Sequence, residues 1–182
     1  WIDKKNKVSF GFQRLAIQDL SSNGNQPMES NCKRYIIIFN GEIYNFQDLK
    51  LTLQSKGVIF KSCSDTEVLL SAISKWGLVD TIEKICGMYA FSIWDKKNKT
   101  LFLARDRFGK KPLVFTLSEN SIAFSSDIRS LKEISNEGGI NKLAIRSLFR
   151  FRFIHEPLTI YSNFRKLSAG SFLKFSSEGV EI

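Results

Sequence analysis

Phe39-Asn40-Gly41-Glu42-Ile43-Tyr44-Asn45 follows the apolar run Tyr35-Ile36-Ile37-Ile38 and precedes a segment with helical spacing. The run reads as a buried strand over Tyr35–Phe39. It delivers an Asn side chain, a Gly N–H and a carboxylate at its mouth. An amide donor beside an unshielded N–H is what an oxyanion hole requires, and Glu42 beside them can hold an ammonium group. Taken alone the same residues also read as a tight turn, because Asn-Gly between apolar runs is a strong hairpin signal. The flanking segments have to decide.

Downstream, Asn45 is placed to cap a helix that runs to about Lys56 and stops at Gly57, with Leu49 and Leu53 on one face. Ser64-Asp65-Thr66-Glu67 has the spacing of a capping box and opens a helix through Trp76, closed by Gly77. A short helix over Val79–Ile85 follows. The period then changes from helical to alternating. Gly87–Trp94 is a strand, Asp95–Lys99 a turn and Thr100–Ala104 the returning strand. Pro112–Leu117 and Ser121–Ser125 form a second hairpin. Helices are expected near residues 127–133 and 141–149, and a last strand over Ser171–Phe175. Upstream, Val8–Phe12 alternates, Arg14-Leu15-Ala16-Ile17 reads as a further strand or its continuation, and Asp19–Met28 is a polar loop. Strands, helices, hairpins and helices in that order predict an α+β fold of antiparallel sheets with segregated helices.

The chain has 182 residues, 43% of them hydrophobic, which suits one domain over residues 1–182. No stretch approaches the ~18 apolar residues of a membrane-spanning helix, so no membrane partner is expected. The net charge of +9 reads as a solvated lysine-rich surface. No zinc-finger, RNA-recognition or helix-turn-helix signature accompanies it, so nucleic acid is not the expected partner. Cys32, Cys63 and Cys86 form no CxxC pair, which speaks against a disulfide framework and a zinc site. A reducing cytoplasm follows, and Cys86, between Ile85 and Gly87, is expected in the core. The single histidine, His155, lies before Glu156-Pro157 without a nucleophile elbow and reads as structural.

Four segments, in order, carry a resemblance: Arg14-Leu15-Ala16-Ile17, Asn40-Gly41-Glu42-Ile43-Tyr44-Asn45, Ser64-Asp65-Thr66-Glu67 and Ala104-Arg105-Asp106-Arg107-Phe108-Gly109-Lys110-Lys111-Pro112-Leu113. Together they resemble the glutaminase domain of the glutamine-hydrolysing asparagine synthetases, which are class II amidotransferases. The resemblance runs from Trp1 to about Phe175. It implies an N-terminal-nucleophile αββα sandwich, with antiparallel sheets flanked by helices. It also implies a reaction in which the thiolate of an N-terminal Cys attacks the carboxamide of glutamine and its α-amine accepts the proton. Ammonia then passes to a second domain that activates aspartate. On this reading Arg14 pairs with the α-carboxylate of glutamine. Glu42 and Asp65 accept from its α-ammonium, and Asn40 and Gly41 hold the oxyanion. Gly41 leaves room for the substrate. The segment Arg105–Leu113 is structural or supports a neighbouring domain and has no catalytic role.

The family's opening Cys-Gly-Ile and an Arg-Gly-Pro-Asp segment are not in this sequence, so the αββα sandwich is expected to be incomplete at its N-terminus, with a sheet edge left open. Residues from about 150 to 182 are expected to lead toward a C-terminal synthetase domain, the partner that would use ATP and Mg²⁺; this domain itself needs no cofactor or metal. An internal Cys has no α-amine, so the 182-residue chain is expected to lack glutaminase activity. Two alternatives stand beside this reading: an amidotransferase acting on another carboxylate, such as a sugar, and a non-catalytic glutamine-binding domain. A homodimer is left open.

Overall fold

The computed structural model describes residues 1–14, 19, 21–136 and 138–182. Strands are β1 (Ile2–Asp3), β2 (Val8–Ser9), β3 (Met28–Glu29), β4 (Tyr35–Ile43), β5 (Gly87–Asp95), β6 (Thr100–Arg105), β7 (Val114–Ser118), β8 (Ser121–Ser125), β9 (Arg165–Lys166), β10 (Phe172–Ser176) and β11 (Gly179–Glu181). Helices are α1 (Phe46–Ser55), α2 (Asp65–Trp76), α3 (Leu78–Lys84), α4 (Ile128–Lys132) and α5 (Lys142–Phe151). Among the described residues the strands form a six-stranded sheet in the order β11-β10-β6-β5-β4-β3, a three-stranded sheet β8-β7-β9 and the pair β1-β2. Every strand pair is antiparallel.

Strands β4 and β5 carry apolar residues on both faces because both faces are covered. Ile37, Phe39 and Ile43 of β4, with Tyr89, Phe91 and Ile93 of β5, pack against Leu49 and Leu53 of α1 and Val68, Leu69, Ala72 and Ile73 of α2. The intervening residues Ile36, Ala90 and Trp94 face the other way, against Leu113 and Phe115 beside and within β7. A third cluster joins Val114 of β7 to Leu131 of α4 and to Phe164. The layers are therefore helix, sheet, sheet, helix, as the αββα expectation requires. Full burial of a side chain such as Leu69 is worth ~1.5–3 kcal/mol, so the α2 face anchors the large sheet.

Several local expectations change. Strand β4 does not end at Phe39: it continues through Asn40-Gly41-Glu42 to Ile43, paired residue by residue with β5. The Asn-Gly pair is thus strand and not turn. Helix α1 begins after Asn45, yet that side chain caps nothing. Its amide donates to the Lys84 carbonyl at 2.9 Å and accepts from Cys86 N–H at 2.9 Å, tying α3 to β5. Ser64 does cap α2, accepting from Thr66 N–H. Glu67 does not reach back to Ser64. It binds Lys61 N–H, Ser62 N–H and the Ser62 hydroxyl, so the box is replaced by a clasp on the preceding loop. Cys86 is exposed, as are Cys32 and Cys63: the strand's apolar pattern starts after it. Leu15-Ala16-Ile17 lie outside the described residues. Among the described residues no helix is long and apolar enough to cross a membrane.

Candidate active site

A cleft of about 640 Å³ opens between the two sheets, and Arg14, Asn40, Gly41, Glu42 and Asp65 all line it. Five residues spread over fifty positions of sequence are thereby brought to one place. Strand β4 supplies three of them. Residues 36 and 38 of β4 lie on the face toward the second sheet, so alternation places the Asn40 and Glu42 side chains on that face. Asn40 is half-buried.

The backbone of Gly41 is presented by a different device. Along β4, Tyr44 N–H donates toward β5, to the Cys86 carbonyl. Phe39 N–H and Ile43 N–H donate to the opposite edge, to Gln26 Oε1 at 2.6 Å and to Asp65 Oδ2 at 3.0 Å. Gly41 shares their parity, so its N–H lies on that edge, between the Gln26 and Asp65 side chains. Strand β3 does not cover it, because β3 pairs only with Ile36 and Ile37. Gln26 keeps the edge straight: its amide also donates to the Phe39 carbonyl at 3.1 Å and to Thr66 Oγ1 at 3.2 Å. Sequence reading missed Gln26, and only its place beside Pro27 in a polar loop was visible.

Glycine is needed at 41 for a reason other than room for a ligand. A Cβ there would meet the Met88 carbonyl oxygen and stand 2.7 Å from Tyr89 Cα. The adjacent strand β5 occupies that space.

Arg14 is half-buried and its guanidinium is held by the polar loop. It donates to the Ser21 carbonyl at 2.9 Å, to Asn25 Oδ1 at 3.1 Å and to the Asp19 carbonyl. Asp19 in turn accepts from Ser21 N–H and Cys63 N–H, linking the loop to the start of α2. Asp65 is 6% exposed. Burial pushes its carboxyl above the ordinary carboxylate value and the nearby Glu42 charge pushes the same way, against the N–H groups of Ile43 and Thr66. A cation placed between Glu42 and Asp65 would relieve both effects.

The segment Arg105–Leu113 is a structural clasp. Asp106 is fully buried and accepts from four N–H groups, those of Tyr89, Phe108, Lys110 and Lys111. Burial pushes its carboxyl up, but these N–H groups together outweigh that and hold it below the ordinary value. Arg105 donates to the carbonyls of Lys111, Leu167 and Gly109 and pairs with Glu156. Arg107 takes carbonyls at the end of α3. The clasp sets Lys111, Pro112 and Leu113 into the cleft wall. His155 bonds Ser147 and packs on Phe151 and Phe153, and it is not among the residues that line the cleft. None of the three thiols lines the cleft. Among the described residues no group of three or more His, Cys, Asp or Glu is gathered to hold a metal ion.

The profile of the glutamine amidotransferase domain matches residues 1–182. The chain belongs to that family. This amidotransferase domain is 40% identical to asparagine synthetase [glutamine-hydrolyzing] 1 of Bacillus subtilis, over 94% of the chain and 27% of that protein. It is 37% identical to a putative asparagine synthetase [glutamine-hydrolyzing] 2 of Methanocaldococcus jannaschii, over 98% of the chain and 37% of that protein. Amidase chry2 of Gibberella zeae is 30% identical over 95% of the chain and 25% of that protein. The domain thus spans between about a quarter and two fifths of the length of these relatives. In fold it matches glutamine phosphoribosylpyrophosphate amidotransferase from B. subtilis with a TM-score of 0.64 at 22% identity, over 88% of this chain and 32% of that one. The N-terminal-nucleophile αββα sandwich of the class II amidotransferases is therefore the fold of this chain.

Proposed function

We propose that this domain is the glutamine-binding half of an asparagine synthetase, in which ammonia released from glutamine amidates aspartate. The observation that carries the reading is the convergence of Arg14, Asn40, Gly41, Glu42 and Asp65 on one cleft. Arg14, held by its loop, offers its remaining guanidinium edge to the α-carboxylate of glutamine. Glu42 and Asp65 receive the α-ammonium, whose charge offsets the cost of keeping Asp65 ionised in a buried place. The Asn40 amide and the Gly41 N–H, on the open edge of β4, meet the carboxamide oxygen. They stabilise the negative charge that develops there when a thiolate attacks the carbonyl carbon. Collapse of that adduct expels ammonia and leaves a thioester, which water hydrolyses to glutamate.

The thiolate is not Cys32, Cys63 or Cys86, since all three lie outside the cleft lining. On this reading the nucleophile is the thiolate of an N-terminal Cys and its base is the α-amine of the same residue, as the resemblance to the asparagine synthetases implies. By itself the chain binds glutamine and does not hydrolyse it. Residues 1–182 act as one domain, with the segment from about 150 leading toward the synthetase part. ATP, Mg²⁺ and aspartate are handled by that part, and the whole works in the cytoplasm.

Calorimetric titration of the 182-residue protein with L-glutamine tests the reading, with L-glutamate and D-glutamine as comparisons. Saturable binding of L-glutamine, preferred over both, with no ammonia released on prolonged incubation, is the expected result. Absence of binding at millimolar glutamine, or steady release of ammonia, refutes it.

A further inference from the structure

We infer that Ser92 is a further ligand-contacting residue of the cleft, its hydroxyl accepting a hydrogen bond from the carboxamide nitrogen of the bound amino acid. The inference rests on the glutamine reading above. Ser92 is 1% exposed. It lines the cleft, and its Oγ has no hydrogen-bond partner among the described residues. A buried hydroxyl left unpaired is destabilising, and native structures rarely keep one without a reason.

The strand register fixes where this hydroxyl stands. Across the β4–β5 ladder, Glu42 faces Met88, Asn40 faces Ala90 and Ile38 faces Ser92. Ala90 of β5 and Ile38 of β4 pack toward the second sheet, so Glu42, Asn40 and Ser92 all lie on that face. Successive residues on one face of a strand are about 6.6–6.8 Å apart. Starting from the acidic end, the order is Glu42, then Asn40, then Ser92 one step further on the neighbouring strand and diagonal to Asn40. A diagonal neighbour is within reach of a side chain or ligand lying along the face.

An amino acid whose ammonium is held at Glu42 and Asp65 runs its side chain down this line. A carboxamide ends in two groups with opposite needs. Its oxygen is met by Asn40 and Gly41. Its NH₂ then requires an acceptor, and Ile38 and Ala90, the neighbours of Ser92 across and along this face of the ladder, have no side-chain acceptor. The Ser92 hydroxyl supplies one, and the ligand in turn satisfies the buried group.

The test compares wild type with Ser92→Ala by calorimetric titration with L-glutamine and with L-norvaline, which keeps the α-carbon groups and lacks the carboxamide, together with thermal melts of the unliganded proteins. In the variant, glutamine is expected to bind about three- to tenfold more weakly, and norvaline within twofold of wild type. The unliganded Tm is expected to rise by about 2–4 °C, since a buried unpaired hydroxyl has been removed. An unchanged glutamine Kd alongside a raised Tm overturns the inference and leaves Ser92 a packing defect. Equal loss for glutamine and norvaline overturns it too, by showing a general change in the cleft. If wild type itself binds no glutamine, the functional reading fails and this inference falls with it.

Discussion

Gly41→Ala tests whether β4 and β5 are held as closely as the ladder requires. The added Cβ would stand 2.7 Å from Tyr89 Cα and 3.0 Å from Tyr89 Cβ, and would meet the Met88 carbonyl oxygen more closely still. Two of these atoms are backbone, so no rotamer change moves them. Carbon atoms rest at about 3.5–4.0 Å, so the strands must part by roughly 1 Å at this point. Overpacking of that kind costs about 1–3 kcal/mol. One or two weakened ladder hydrogen bonds add about 1 kcal/mol each, giving a loss of about 2–5 kcal/mol. Urea unfolding followed by circular dichroism reads this as a lowered midpoint with an unchanged slope. Gly87→Ala approaches the same ladder from the other side, where a Cβ would meet the Glu42 carbonyl oxygen and stand 3.0 Å from Ile43 Cα, and should cost a similar amount. Gly11→Ala is the control: nothing lies within 4 Å of its added Cβ, and its effect should stay within about 0.5 kcal/mol. A Gly41→Ala protein as stable as the Gly11→Ala control would refute the close-approach reasoning.

Three further outcomes are expected. Arg14→Ala should weaken glutamine binding at least tenfold by calorimetry, whereas binding of a ligand without an α-carboxylate, such as glutamine's decarboxylated amine, should change little. If the proposed function holds, Asn40→Ala in a protein that carries an N-terminal Cys and a synthetase part should lower glutamine hydrolysis by roughly 10²–10³, read as ammonia release, while synthesis from added ammonium is retained. Asp65 has a folded-state pKa raised by burial, so its contribution to stability is fully present below the unfolded carboxyl's pKa and is lost as pH rises through the folded value. Asp65→Asn should therefore gain stability relative to wild type between acid and neutral pH in urea titrations, while binding glutamine poorly. A stability difference that stays flat with pH would contradict the burial of an ionised Asp65.

The layered fold was legible because the helical and alternating periods are strong in this sequence. Ser64 before Val68-Leu69-Leu70 marks the start of α2, and the apolar run Gly87–Trp94, the polar turn Asp95–Lys99 and the second run Thr100–Ala104 mark a hairpin. What was not legible depends on contacts distant in sequence. Asn40-Gly41 looks like a turn locally, but pairing with Ala90 and Tyr89 draws it into the strand. Asn45 looks like a cap, yet Lys84 and Cys86 offer its amide better partners. Gln26 is one polar residue among many until the Phe39 backbone is seen on both ends of its amide. Ser92 is hidden in the alternating run of β5, and no residue spacing reports that its hydroxyl is unpaired. Arg14 and Asp65 were assigned through resemblance, Glu42 was also readable beside Asn40-Gly41, and the fold places all three in one cleft. The reason for Gly41 shifted from ligand to neighbouring strand.

The most direct measurement is a crystal structure of the 182-residue protein grown with saturating L-glutamine. The account predicts one glutamine between the sheets, its ammonium between Glu42 and Asp65, its carboxylate on Arg14 and its carboxamide oxygen at Asn40 and the Gly41 N–H. Glutamine bound at another surface, or lying in the cleft with its carboxamide turned toward Glu42, would contradict it.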